Sequence, residues 1–174
     1  MRLLTAGLAL ALLMTACGTS TPKAASSTTE TAPTTTIDDT PRGTANTIDK
    51  VAVGQCANDV PAKSQRVVAV LVIGCELPHI YEVYAQFKYP AGGTPPPSGA
   101  PYPGETVVRK ASEQACYDQF QPWMGVAWTE SNYDIQTWFP SAASWTATSD
   151  RKVTCGAFLM SGKRTTGSMK GKSQ

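Results

Sequence analysis

His79 and Glu82 are the first residues of this 174-residue sequence whose types could do chemistry together. His79 is the single histidine of the chain, and a carboxylate stands three residues after it. Such a pair could share a proton or supply two metal ligands, but a metal site needs more ligands than these. We favour a structural role in which both side chains fix a turn through hydrogen bonds. They are also candidate binding residues, and the sequence predicts no metal and no cofactor.

Aromatic side chains form a second group of residues that could bind a ligand. Trp123 and Trp128 stand among Pro, Met and Gly residues in a stretch rich in aromatic residues. Tryptophan offers a flat surface to sugar rings and is a frequent anchor in protein interfaces. Core packing is the simpler use of such residues in a small domain, and we expect it for Trp145. Trp123 and Trp128 are predicted to lie at the surface and are candidate binding residues.

A nucleophile with its base is harder to find. Ser20 and Lys23 have the Ser-x-x-Lys spacing of penicillin-binding enzymes, but the companion motifs are absent from the sequence. The surrounding segment is rich in Thr, Ser and Pro and cannot hold a preorganised site. We therefore predict no catalytic residue and expect that the chain is not an enzyme.

Four cysteines are predicted to form two disulfides. An even number of cysteines in an exported domain indicates disulfides, and four cysteines allow three pairings. Their order along the chain favours Cys56 with Cys75 and Cys116 with Cys155. A zinc site is disfavoured because the sequence contains no Cys-x-x-Cys.

The fifth cysteine, Cys17, ends an export signal. Arg2 precedes a short apolar run over Leu3–Met14, and small residues follow before Cys17. This order is typical of a secretory signal, and Leu13–Cys17 resembles the bacterial lipobox. The resemblance implies a signal peptide over residues 1–16 and a diacylglyceryl or palmitate lipid on Cys17. Acyl chains at this position would anchor the protein to the extracytoplasmic face of the cell membrane.

Composition divides the rest of the chain into a tether, a domain and a tail. Residues 17–46 hold almost no large apolar side chain and are predicted to be a disordered tether. Residues 47–160 form the single domain, in which acidic residues slightly outnumber basic ones. Residues 161–174 are predicted to be a basic flexible tail. The net charge of +2 comes largely from that tail, which argues against a nucleic-acid partner.

Hydrophobic patterning predicts three strands and one helix in the domain. The β-branched run Arg66–Ile73 indicates a buried strand, and Tyr81–Phe87 alternates like a second one. Glu105–Phe120 has helical periodicity, and Pro122 is predicted to end it. Lys152–Met160 indicates the last strand. These elements predict an α+β fold: a small antiparallel sheet with one packed helix and two disulfides.

The order of several residues resembles the septum formation domain of actinobacterial envelope proteins. The most distinctive piece is the segment Cys75–Val83, which contains the Pro-His-x-x-Glu pattern. Further residues of the resemblance are Gly54, Cys56, Cys116, Pro140, Trp145, Asp150, Arg151 and Cys155. The resemblance implies an extracytoplasmic domain that is linked to the envelope and to the division septum. It supplies no catalytic residue.

Two functions from different classes follow from these observations. The first is a non-enzymatic binding module, anchored to the membrane by lipid, whose partner is an envelope protein or a cell-wall polymer. The second is a hydrolase or transferase that acts on the cell wall. A converging set of titratable residues would indicate an enzyme, and the sequence shows none, so we favour the binding module.

Overall fold

The domain is a six-stranded antiparallel sheet with one long helix on one face. A computed structural model describes residues 42–60 and 69–172 of the chain. The sheet order is β1-β3-β2-β4-β6-β5, so β1 and β5 are its two edges. The strands are β1 (Thr44–Thr47), β2 (Cys56–Asp59), β3 (Ala69–Ile73), β4 (Tyr81–Lys88), β5 (Tyr133–Trp138) and β6 (Lys152–Leu159). The helices are α1 (Glu105–Met124) and α2 (Ala142–Ala147), with single 3-10 turns at Ile48–Lys50 and Trp128–Glu130.

This architecture confirms the predicted α+β class with an antiparallel sheet, one main helix and two disulfides. The bridges are Cys56–Cys75 and Cys116–Cys155, as the order of the cysteines suggested. The first joins the start of β2 to the segment before β4. The second joins the middle of α1 to β6, so it ties the helix to the sheet.

The two faces of the sheet carry separate clusters of apolar side chains. The larger cluster lies under α1 and includes Phe120 from the helix and Val153 from β6. The smaller one lies on the opposite face, where the turn at Ile48–Lys50 packs on Val83 and Val70. An irregularity in the β4–β6 register after Val83 accompanies this change of face along β4. Burial on both faces of its middle strands is what makes the sheet the centre of the domain.

Helix α1 is longer than the sequence predicts. Its buried residues are spaced four apart: Val108, Ser112, Cys116, Phe120 and Met124. Pro122 lies inside the helix, and Gly125 ends it in the left-handed conformation with φ 89°. The prediction that Pro122 ends the helix was wrong, because a proline in the last turn removes only one backbone donor, and the buried Phe120 and Met124 keep that turn on the core.

The limits of the folded domain also differ from those predicted. β1 begins at Thr44, before the predicted boundary at residue 47, and it pairs with β3. The predicted signal peptide, Cys17, residues 17–41 of the tether, and residues 61–68 with the start of the Arg66–Ile73 strand lie outside the described residues. Within the described ranges, none of the helices has both the length and the apolar character to cross a membrane.

Candidate functional site

His79 lies inside the domain and does not reach the surface. Its side chain is fully buried, and Nδ1 donates to the carbonyl of Leu77 at 2.8 Å. Because a carbonyl oxygen only accepts, Nδ1 carries a proton. Nε2 has no hydrogen-bond partner among the described residues. The backbone of His79 pairs with Thr165 through two hydrogen bonds of 2.9 Å, so the residue holds two chain segments together.

Glu82 anchors the C-terminal segment of the chain. Its carboxylate is buried and accepts from the Ser168 hydroxyl, at 2.8 Å to Oε1, and from the backbone N–H of Met169. His79 and Glu82 therefore do not form the surface that a binding role requires. Their burial and their hydrogen bonds give both residues the structural role that was favoured from the sequence.

The predicted flexible tail is packed on the domain over Thr165–Lys172, which we name the C-terminal strap. Met169 is fully buried in the core under α1. Gly167 donates a backbone hydrogen bond of 2.6 Å to Cys75, next to the first disulfide. The prediction of a separate tail over residues 161–174 was therefore wrong for the strap. One apolar residue and one buried acceptor outweigh the basic composition that suggested a solvated segment.

Tyr133 completes the buried contacts beneath the strap. The tyrosine is almost fully buried, and burial is the main reason why its pKa lies above the ordinary value. The nearby charge of Glu82 raises that pKa further, whereas a hydrogen bond with Thr165 lowers it. Polar side chains from β5, the strap and β4 therefore lie close together inside the domain.

A second set of residues from the resemblance fixes the proline-rich loop between β4 and α1. The Arg151 guanidinium donates to the carbonyls of Pro96 and Pro97 at 3.3 and 3.2 Å. It also lies 3.4 Å over the ring of Trp145, whose Nε1 donates to Ala100 at 2.7 Å. Arginine suits this position because its planar fork reaches several acceptors while stacking on an indole. The structure confirms the expected core position of Trp145, which is 1% exposed.

Trp123 and Trp128 are half-buried side chains with different surroundings. Trp123 stacks on Tyr84 with ring centroids 5.1 Å apart and packs against the core under α1. Trp128 also packs against that core, but its Nε1 donates to Asp134 on β5 at 2.9 Å. Trp123 thus serves mainly the core, whereas Trp128 reaches a surface cleft.

The cleft beside Trp128 is the candidate functional site, and we name it the helix–edge cleft. It has a volume of about 770 Å³ and opens between α1 and the edge strand β5. The residues that line it are Lys110, Glu113, Gln114, Tyr117, Trp128, Asp134, Ile135, Gln136 and Thr137. The volume falls within the range of small-molecule pockets. The walls combine two aromatic rings with amide, carboxylate, hydroxyl and ammonium groups.

Sequence reasoning found only Trp128 among these lining residues. Two periodicities could have found the others. Lys110, Gln114 and Tyr117 recur at the spacing of one helix face, and residues 133–138 alternate as an edge strand does. The crowding of aromatic residues in that stretch concealed the strand pattern.

A further aromatic group lies on the sheet face that α1 does not cover. Tyr81, Trp138 and Phe158 meet edge to face, with centroids of 5.3 Å and 5.9 Å from Tyr81. Trp138 lies so close over Gly156 that a Cβ there would be 2.7 Å from the ring. Burial, followed by the charge of Asp59 and a hydrogen bond to it, raises the pKa of Tyr81 to about 12.

Across residues 42–60 and 69–172, no group of three or more His, Cys, Asp or Glu side chains could hold a metal ion.

Comparison with known proteins gives a family match. No curated protein and no solved structure is significantly similar to the chain. The family model described as "Septum formation" matches residues 53–174. The match covers most of the chain, includes both disulfides and the strap, and agrees with the resemblance carried by Cys75–Val83. The chain therefore belongs to the septum formation family.

Proposed function

We propose that this protein is a lipid-anchored, extracytoplasmic lipoprotein that acts as a non-enzymatic binding module of the cell envelope during septum formation. Membership of the septum formation family supports a role in cell division. The order of residues before Cys17 supports export and lipidation. The two disulfides support an oxidising compartment, since structural disulfides are rare in proteins that stay in the cytosol.

The observation that supports the binding role is the contrast between buried side chains that hold the fold and exposed side chains that are available to a ligand. Four buried side chains hold chain segments in place through hydrogen bonds or ring contacts: His79, Glu82, Trp145 and Arg151. The helix–edge cleft, in contrast, presents aromatic and polar groups at the surface. A rigid framework that supports a mixed aromatic and polar cleft is the usual design of a recognition site.

Localisation of the full chain in a dividing host tests this proposal. A fluorescent protein joined after Gln174 through a linker should be tolerated, because Lys172 at the end of the strap is exposed. The fusion should be found in the membrane fraction and be enriched at division sites. Cys17→Ala should move it to the medium or leave it as the unprocessed precursor.

Three outcomes would contradict the proposal. A processed Cys17→Ala protein that remains membrane-bound would show that Cys17 is not the lipid anchor. A uniform distribution of the fusion during division would show that the protein has no septal role. Release of soluble fragments from purified cell wall by the full chain would show catalysis and would remove the non-enzymatic role.

A further inference from the structure

We propose that the helix–edge cleft binds a glycan chain that carries hydroxyl and N-acetyl groups. This inference rests on the proposed binding function and deepens it by naming the class of ligand. The choice of ligand follows from the ring positions, the charge balance and the capped edge of β5.

The two aromatic rings of the cleft offer surfaces for sugar rings. Tyr117 is 44% exposed on α1, and its ring centroid lies 6.2 Å from that of Trp128. The hydrogen bond from Trp128 to Asp134 fixes the indole before any ligand arrives. A ring that is already held loses little side-chain entropy on binding, and an aromatic face packs well on the apolar face of a pyranose.

The polar groups of the cleft are nearly balanced in charge. Lys110 lines the same cleft as the carboxylates of Glu113 and Asp134, and Glu113 is paired with Arg109 at 3.4 Å. Such a balance does not favour a strongly acidic or strongly basic polymer. A neutral ligand that is rich in hydroxyl groups satisfies it.

Amide side chains stand on both walls and are already oriented. Gln114 on α1 donates to Asp118 at 2.8 Å, and Gln136 on β5 donates to the carbonyl of Thr137 at 3.2 Å. Each bond fixes its amide plane, which leaves the amide oxygen as an acceptor for a ligand. Oriented amides and carboxylates suit the hydroxyl and acetamido groups of an N-acetylated glycan.

The edge of β5 argues against an extended peptide as the ligand. The register with β6, and the hydrogen bond from Met160 to Asn132, turn the backbone groups of Tyr133, Ile135 and Thr137 towards the free edge. Side chains cap several of these groups. Ser131 accepts from the Tyr133 N–H, Asp134 accepts from the Ile135 N–H, and Gln136 donates to the Thr137 carbonyl. A capped edge resists the addition of another strand.

Calorimetric titration of the full chain, purified from membranes in detergent, tests the inference. The probe is the β-1,4-linked tetramer of N-acetylglucosamine, and retention on purified cell-wall glycan is a second measurement. We expect saturable binding of the tetramer. Tyr117→Ala should weaken it by at least about tenfold, which is roughly 1.4 kcal/mol. Its thermal melt should shift little, because the residue is exposed on a helix, alanine is the best helix former, and only the edge contact with Trp128 is lost.

Val107→Ala is the matched control. Val107 is an exposed apolar residue of the same helix, 54% exposed, and does not line the cleft. Its affinity for the tetramer should equal that of the original chain. Trp128→Phe keeps a ring but loses the N–H bond to Asp134, so it should bind more weakly while the domain stays folded.

Failure of the glycan inference differs from failure of the proposed function. If neither the tetramer nor wall glycan binds the original chain, the glycan inference is overturned, while septal enrichment of the fusion would keep the binding module. Equal losses in Tyr117→Ala and Val107→Ala would also overturn it, since the effect would not belong to the cleft. Capture of an extended peptide with no glycan binding would show that the capped edge opens and that the ligand class is wrong.

Discussion

Glu82→Ala is expected to release the C-terminal strap while the sheet and α1 stay folded. The carboxylate is 4% exposed and is the shared acceptor for Ser168 and Met169. Ser168 is exposed and can regain a hydrogen bond from water, but the buried backbone N–H of Met169 cannot. The cost is therefore dominated by one buried donor left without a partner.

The size of the effect follows from that single donor. A buried donor left unpaired costs about 1–3 kcal/mol. A central value of about 2 kcal/mol corresponds to roughly 30-fold more frequent local opening, since 1.4 kcal/mol is tenfold. Amide hydrogen exchange of the strap should accelerate by about that factor, whereas the amides around Cys116 in the middle of α1 should exchange as before.

Two further variants separate the hydrogen bond from other causes. Glu76→Ala removes an exposed carboxylate of the same chain segment and should leave exchange in the strap unchanged. Met169→Ala removes the buried side chain instead and should loosen the strap through a cost of about 2–5 kcal/mol. If Glu82→Ala leaves the strap protected, or accelerates exchange in α1 equally, the hydrogen bonds of Glu82 are not what holds the strap on the domain.

Three other predictions concern the loop, the second disulfide and alkaline pH. Arg151→Lys should make the Pro90–Gly104 loop more sensitive to proteases, because a lysine ammonium cannot reproduce the guanidinium fork over the indole. Replacing Cys116 and Cys155 together with alanine should lower the free energy of unfolding by about 2–5 kcal/mol in denaturant titration; an unchanged midpoint would contradict the stapling role. The pKa of Tyr81 is raised to about 12 by burial and Asp59. The folded state therefore holds the phenolic proton up to a higher pH than the unfolded state does. The contribution of this proton to the free energy of unfolding is complete below about pH 10 and should be lost as the pH rises towards about 12. A variant with phenylalanine at that position should show a flatter denaturant midpoint over the same range.

The sequence predicted those elements in which local pattern and tertiary burial agree. β6 was predicted within one residue because Val153, Cys155 and Ala157 alternate with more polar positions and are buried under α1. The disulfide pairing followed from the order of the cysteines along the chain. Neighbouring residues carried the information for β6, whereas the pairing used only the order of cysteines that are 19 and 39 residues apart.

The elements that were missed depend on distant contacts. β1 has the sequence Thr-Ala-Asn-Thr and is mostly exposed, so only its pairing with β3 makes it a strand. The strap looks like a solvated tail until Glu82, far away in sequence, supplies its acceptor. Of the residues that line the helix–edge cleft, only Trp128 was predicted as a site residue, because α1 and β5 meet only in the folded chain. Hydrophobic periodicity does not contain such long-range pairings.

The strand order has a mechanical consequence for an anchored protein. β1 and β5 occupy opposite edges of the sheet. If the membrane holds the chain before Arg42 and a ligand holds the helix–edge cleft, any tension between them crosses every strand pairing in turn. The β1–β3 pairing, with four residue pairs, receives the load first. The β2–β4 pairing has two residue pairs but is backed by the Cys56–Cys75 bridge, which ties β2 to the segment before β4. Tension would therefore peel away β1 and lengthen the connection to the membrane, while both disulfides keep the ligand-holding part of the domain intact.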